Sequence, residues 1–217
     1  MTSYAIVDTG GSRSFPAPHP FLDGADPEGK VTVYLGAGAV GAYRSDPSKA
    51  AILVELGTEC LGEATGEGAG LEGSNALGFA RFRLGDGDPS DLVELVRQPA
   101  TDPTSVEIAK AILEAAGLQV SVCGDFAGRI LDRLIRPYYN EALTRLDEGL
   151  ATAADMDLTV KLGLGYPEGP IELLERTGLH HHHDVTRTLF ETYGTRHYAP
   201  ARRAVVAKRR AEREQEQ

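Results

Sequence analysis

Apolar positions fall into two regimes along this chain. Up to about residue 127 they come in short runs divided by glycine and proline, and Tyr4–Asp8, Val31–Leu35, Ala51–Leu56, Leu77–Leu84 and Gln119–Cys123 each read as strands. Asp91–Arg97 fits either a helical turn or a sixth short strand. Pro103–Ala116 predicts a helix, with Thr101 or Asp102 near its cap and Gly117 as its stop. Strands interleaved with a few helices imply an α/β sheet, although the helices are too few for a complete doubly wound fold. Residues 8–26, with Pro16, Pro18 and Pro20, read as an irregular connection, and residues 62–74 as a Gly/Glu-rich loop.

From Gly128 the period changes. Ile130, Leu131, Leu134, Ile135, Tyr138, Ala142, Leu143 and Leu146 recur at three and four, which predicts one long amphipathic helix ended by Gly149 and kinked at Pro137. Further helices are expected at roughly 153–162, 170–177, 180–193 and 199–213, between glycine and proline stops. The expected organisation is therefore an α/β domain over residues 1–127 and an all-α domain over 128–217. No flexible linker separates them.

Charge sharpens this division. The net charge is −10, and residues 1–127 hold 8 Lys+Arg against 18 Asp+Glu while residues 128–217 hold 14 of each. The acidic excess of the first half disfavours nucleic acid as a partner. The basic run Arg202, Arg203, Lys208, Arg209 and Arg210 reads as the solvated face of a last helix. No apolar run reaches the roughly 18 residues of a membrane span, and the start of the chain lacks a secretory layout, so a cytoplasmic location is the expectation. Two cysteines, Cys60 and Cys123, cannot build a disulfide framework.

Candidate chemistry begins with Gly36-Ala-Gly38-Ala-Val-Gly41, which matches GxGxxG directly after an apolar run, the context of a dinucleotide fingerprint. Glu55 lies 19 residues beyond Gly36, near where a ribose-binding acid belongs. Pro47 arrives six residues after Gly41, however, leaving Ala42–Ser45 as barely one helical turn to receive a pyrophosphate. A Gly-rich strand-to-strand connection is the alternative. His180–His183 point around most of a helix circumference and read as a solvent-exposed helix start, and no metal site is assigned to them.

One ordered series carries more information than any single motif. Gly128, an apolar helix with Arg133-Leu134, Pro137-Tyr-Tyr-Asn140-Glu141-Ala142, Glu148-Gly149, Asp155-Met-Asp157 and Gly163-Leu-Gly165-Tyr-Pro167-Glu-Gly169-Pro170 follow one another. In that order they resemble the start of the C-terminal helical domain of the 3-hydroxyacyl-CoA dehydrogenase family. The likeness continues through Gly178-Leu179 and Thr195-Arg-His-Tyr-Ala-Pro200, and more faintly back to about Ala50. It implies an incomplete Rossmann-like domain followed by the helical domain, a homodimer formed through that helical domain, and acyl-CoA, NAD or a dehydrogenase chain as conceivable partners.

Carried over residue by residue, the same resemblance exposes losses. Asp91–Val96 looks like the family's Lys-Leu-Val-Glu-Val-Val step, which places Glu94 on the acid that orients the catalytic histidine. That histidine's own position falls on Phe82, and no histidine lies between Pro20 and Leu179. Glu59 and Cys60 occupy serine positions of the Asn-Thr-Ser-Ser-Leu segment. Asp132 stands where an asparagine would face the substrate carbonyl, and an ionised carboxylate cannot donate a hydrogen bond there. Asn140 and Glu141 match the family and read as holding helices together. The catalytic candidates are thus Glu94, Asp132, Glu59 and Cys60, and the cofactor candidates Gly36, Gly38, Gly41 and Glu55. Two functions stay open: a catalytically degenerate binding or partner subunit with no cofactor, or an enzyme of the family with a rebuilt site, NAD-dependent or non-redox.

Overall fold

The computed structural model describes residues 2–67 and 74–216, which form two compact units. The first comprises the chain up to Arg83 together with Pro89–Ile130, and the second Leu84–Asp88 together with Leu131–Gln217. The first unit is a six-stranded sheet of β1 (Tyr4–Asp8), β2 (Val31–Leu35), β3 (Ala51–Glu55), β4 (Ala76–Arg81), β5 (Leu92–Arg97) and β6 (Gln119–Gly124). The strand order is the chain order, β1-β2-β3-β4-β5-β6. β1 to β4 are parallel, β5 runs antiparallel to β4, and β6 is parallel to β5. The ambiguous Asp91–Arg97 run is therefore a strand.

Both faces of the sheet are covered, which is why its strands read as unbroken apolar runs. On one face Val31, Val33, Leu35, Leu53, Phe79 and Leu95 pack with helix α4 (Pro103–Ala115), whose cap is Asp102 accepting from Thr104 N at 2.8 Å. On the other, Tyr34, Ile52, Val54, Leu56 and Val96 pack with the four-residue helices α2 (Ala39–Ala42) and α3 (Gly62–Thr65). α2 starts three residues earlier than the sequence indicates. α3 opens the segment expected to be loop, and residues 68–73 of that segment lie outside the described residues.

The proline-rich connection is more ordered than its composition implies. It holds a short helix, α1 (Pro20–Asp23), capped by His19 Nδ1, which accepts from Phe21 N at 3.1 Å. Phe15, Phe21 and Tyr4 stack in sequence within the core, with ring centroids 4.8 and 4.9 Å apart. His19 is half-buried, its ring against Phe15.

The second unit contains α5 (Leu131–Asp147), α6 (Ala153–Leu164), α7 (Pro170–Thr177), α8 (Leu179–Tyr193), a 3₁₀ turn at Arg196–Tyr198 and α9 (Arg202–Gln215). Pro137 cannot donate to Arg133 O, and the Tyr198 hydroxyl reaches that carbonyl at 3.4 Å instead. Asp157 of α6 caps α7, accepting from Ile171 N at 2.8 Å and Glu172 N at 3.0 Å. A side chain on Gly169 would collide with Asp157, so the glycine is a packing requirement. Arg202 and Arg203 are held by Asp147, and Lys208 by Asp184, so the basic run is partly paired.

Candidate functional site

Parallel α/β sheets bind ligands at the carboxyl ends of their strands, at the point where the strand order reverses. Among the described residues this sheet has no such reversal. The GxGxxG motif follows β2 and lies between neighbours at the carboxyl ends of β1 and β3. Its amides are engaged within the protein. Gly36 N donates to Glu55 Oε2 at 2.7 Å, Ala37 N to Gly10 O at 2.8 Å, Gly38 N to Thr9 Oγ1 at 3.0 Å and Ala39 N to Gly36 O at 3.0 Å. Glu55 is buried and also accepts from Ser14 N at 2.7 Å and Ser12 Oγ at 3.0 Å. The cavity beside it, bounded by Gly11, Arg13, Gly36, Glu55, Gly57 and Glu59, measures about 200 Å³. Small-molecule sites commonly occupy about 300–1,000 Å³. The residues of this turn do not fit a dinucleotide: Gly36 and Gly38 have no amide to offer, Glu55 faces an amide instead of a ribose, and Gly41 sits within a four-residue helix.

The second constellation is built around Glu94 of β5. Glu94 is 2% exposed. One of its carboxylate oxygens accepts from Ile130 N at 2.8 Å, and the other pairs with Arg129 Nε at 3.3 Å. Arg129 is also buried, donates from Nη2 to Gly57 O at 2.8 Å, and has a left-handed backbone, φ 49°. Its Nη1 is buried without a hydrogen-bond partner among the described residues. Glu94, the acid matched to a histidine-orienting role, thus holds a guanidinium. Phe82 lies just past β4, where its carbonyl accepts from Ser90 N at 2.8 Å.

Glu59 turns its carboxylate onto Gly57 N at 2.8 Å. The Cys60 thiol is pushed above its ordinary range by burial and by the nearby Asp125 and Glu63 charges, which keeps it protonated and poorly nucleophilic. Burial and Glu94 raise Cys123 further, to about 11. Asp125 caps α3 by accepting from Leu61 N at 2.7 Å and Gly62 N at 2.8 Å. A carboxylate therefore sits on the turn that follows Glu59 and Cys60.

In the helical unit Asp132 is committed to Arg136, whose Nε donates to it at 2.7 Å, and both are buried. Arg136 Nη1 meets His182 Nδ1 at 3.2 Å, His182 Nε2 meets Asn140 Oδ1 at 3.0 Å, and Asn140 Nδ2 donates to His197 O and Ala199 O at 3.0 Å each. Arginine can only donate, so Nδ1 of His182 accepts, Nε2 carries the proton, and Asn140 orients its oxygen to receive it. Burial, then the Arg136 and His183 charges, hold the His182 imidazole down to about 3. The expectation of a solvent-exposed histidine run is corrected here: His182 and His183 are buried, because they face the inner side of α8. His181 pairs with Asp86 at 3.1 Å. Among the described residues no three His, Cys, Asp or Glu side chains gather as a metal site. Glu141, expected beside Asn140 to join helices, instead pairs with Arg145 of its own helix.

A parallel-rich sheet unit is followed by a unit of five α-helices. The family description "3-hydroxyacyl-CoA dehydrogenase, C-terminal domain" matches residues 128–217, which is the helical stretch of this chain. It is 36% identical over 110 residues to a Bradyrhizobium diazoefficiens 3-hydroxybutyryl-CoA dehydrogenase, covering 51% of this chain and 38% of that relative. With the human mitochondrial hydroxyacyl-coenzyme A dehydrogenase it shares 40% identity over 88 residues, covering 41% and 28%. The matches thus span well under half the length of these curated relatives. The fold is shared with the crystal structure of FadB2 from M. tuberculosis, with TM-score 0.69 at 22% identity over 90% of this chain and 69% of that one. No helix among the described residues is long and apolar enough to cross a membrane.

Reading the sequence missed Arg129, Asp125 and His182 as site-shaping residues. Arg129 carried a signal, since it is a charged residue between Gly128 and the apolar Ile130-Leu131. Asp125 and His182 carried none, because their partners are remote in sequence.

Proposed function

We propose that this chain is a 3-hydroxyacyl-CoA dehydrogenase-like protein that does not carry out the dehydrogenation and serves as an acyl-CoA-related binding or partner subunit. The observation that carries this reading is the Glu94–Arg129 pair. Removing the proton from a 3-hydroxyl needs a base poised near neutral pH. Both oxygens of the Glu94 carboxylate are already engaged, one by a backbone amide and one by a guanidinium, and no histidine stands between Pro20 and Leu179. The glycine turn, with its amides engaged, likewise offers no cradle for the nicotinamide cofactor that would accept hydride.

A homodimer formed through the helical unit is part of the same proposal. Leu150, Leu158, Leu162 and Leu164 are each at least half exposed on or beside α6, near an apolar hollow of about 330 Å³ bounded by Tyr138, Ala142, Met156 and Val160. Isolated surface leucines are ordinary, but a cluster of this kind marks an interaction face. The decisive assay is NADH oxidation with acetoacetyl-CoA, where turnover at background is expected. Robust turnover that disappears in Glu94→Ala would overturn the reading.

A further inference from the structure

We infer that the Gly36 turn is a closed receptor for this chain's own Glu55 carboxylate, which fills the place a dinucleotide pyrophosphate would require. The inference rests on the proposed function only for the absence of cofactor turnover; its geometry stands separately. Three donors from two connections converge on one buried carboxylate: Gly36 N, Ser14 N and Ser12 Oγ. Ser12 Oγ accepts from Phe15 N at 2.9 Å, which leaves its hydroxyl proton directed at Glu55. Fixed donors of this kind, supplied by glycine-rich turns, are what bind phosphate oxygens elsewhere. Here the anion is covalently part of the receptor.

The glycines themselves have a packing explanation. Gly36 adopts φ 98°, and a Cβ there would collide with Gly10 O, so the first glycine is required by the crossing of the β1 and β2 ends. The second turn is tied by Thr9, whose hydroxyl donates to Leu35 O at 2.7 Å while its oxygen accepts from Gly38 N. An incoming phosphate would meet a carboxylate of like charge. It would also have to displace Glu55 from Gly36 N, Ser14 N and Ser12 Oγ, leaving a buried carboxylate without its donors.

The test combines denaturation with titration of the full chain. Glu55→Gln should lower the folding equilibrium constant by about tenfold or more, since charge-assisted bonds are replaced and one amide hydrogen opposes Ser14 N. Wild type should bind NADH with no saturation below millimolar concentration. Glu55→Ala should regain stability saturably with added formate, a free carboxylate, while wild type does not respond. Should neither Glu55 variant fold, Ser12→Ala removes one of the three donors: a several-fold loss supports the inference and an unchanged midpoint overturns it. Glu55→Gln as stable as wild type overturns the inference and leaves the proposed function standing. Micromolar NADH binding by wild type also overturns it, and spares the proposed function if acetoacetyl-CoA reduction stays at background.

Discussion

Arg129 bears three costs at once. Its backbone lies in the left-handed region, its guanidinium is buried, and one of its nitrogens lacks a partner among the described residues. Left-handed backbone costs a non-glycine residue roughly 1–2 kcal/mol and an orphaned buried donor about 1–3 kcal/mol. The neighbouring Glu94 offsets part of this by pairing, which gives a clear prediction. Glu94→Ala should destabilise the fold by about 3–5 kcal/mol in urea, because it strands a buried cation. Glu94→Leu combined with Arg129→Met should recover most of that loss. Equal destabilisation by the single and the double change would show that the pair is not coupled. His182 makes a second prediction. Its folded pKa of about 3 lies below the 6.5 of an unconstrained imidazole, so the unfolded chain binds the extra proton. Stability is full above pH 6.5 and should decline as pH falls toward 3. Between pH 7 and 5, where most carboxylates are still ionised, His182→Gln should flatten the fall in melting temperature relative to wild type.

At the scale of elements, the helices of the second unit were legible because each carries a sustained three-and-four period between strong stops. The family motifs within it turn out to be its joinery. Asn140 ties α5 to α8 and the 3₁₀ turn, and Asp157 with Gly169 docks α6 on the start of α7. Those residues fix how the helices dock on one another. The short helices α1, α2 and α3 were illegible or misplaced, since four residues cannot display a period. The buried phenylalanines of the proline-rich connection were missed for the same reason. α6 supports a further prediction: Leu158→Glu with Leu162→Glu, two side chains one turn apart at 50% and 78% exposure, should convert a sedimenting dimer into monomer without changing the far-UV spectrum. A wild-type monomer at micromolar concentration would exclude the dimer.

For the molecule as a whole, fold class was readable because patterning separates a sheet buried on both faces from a set of amphipathic helices. The site was not, because its decisive contacts join residues far apart in the chain: Glu55 with Ser14, Glu94 with Arg129, Asp125 with Leu61. The strand order has a consequence for how the sheet comes into being. Each strand pairs with the one made just before it, so every new pairing closes only the intervening connection, and loop-closure entropy grows slowly with such lengths. A sheet whose order reverses must keep a central strand's edge open until later chain arrives. Here assembly can proceed vectorially from the amino terminus, with β1 to β4 joined in the order of synthesis and little unpaired edge exposed to neighbouring chains during translation.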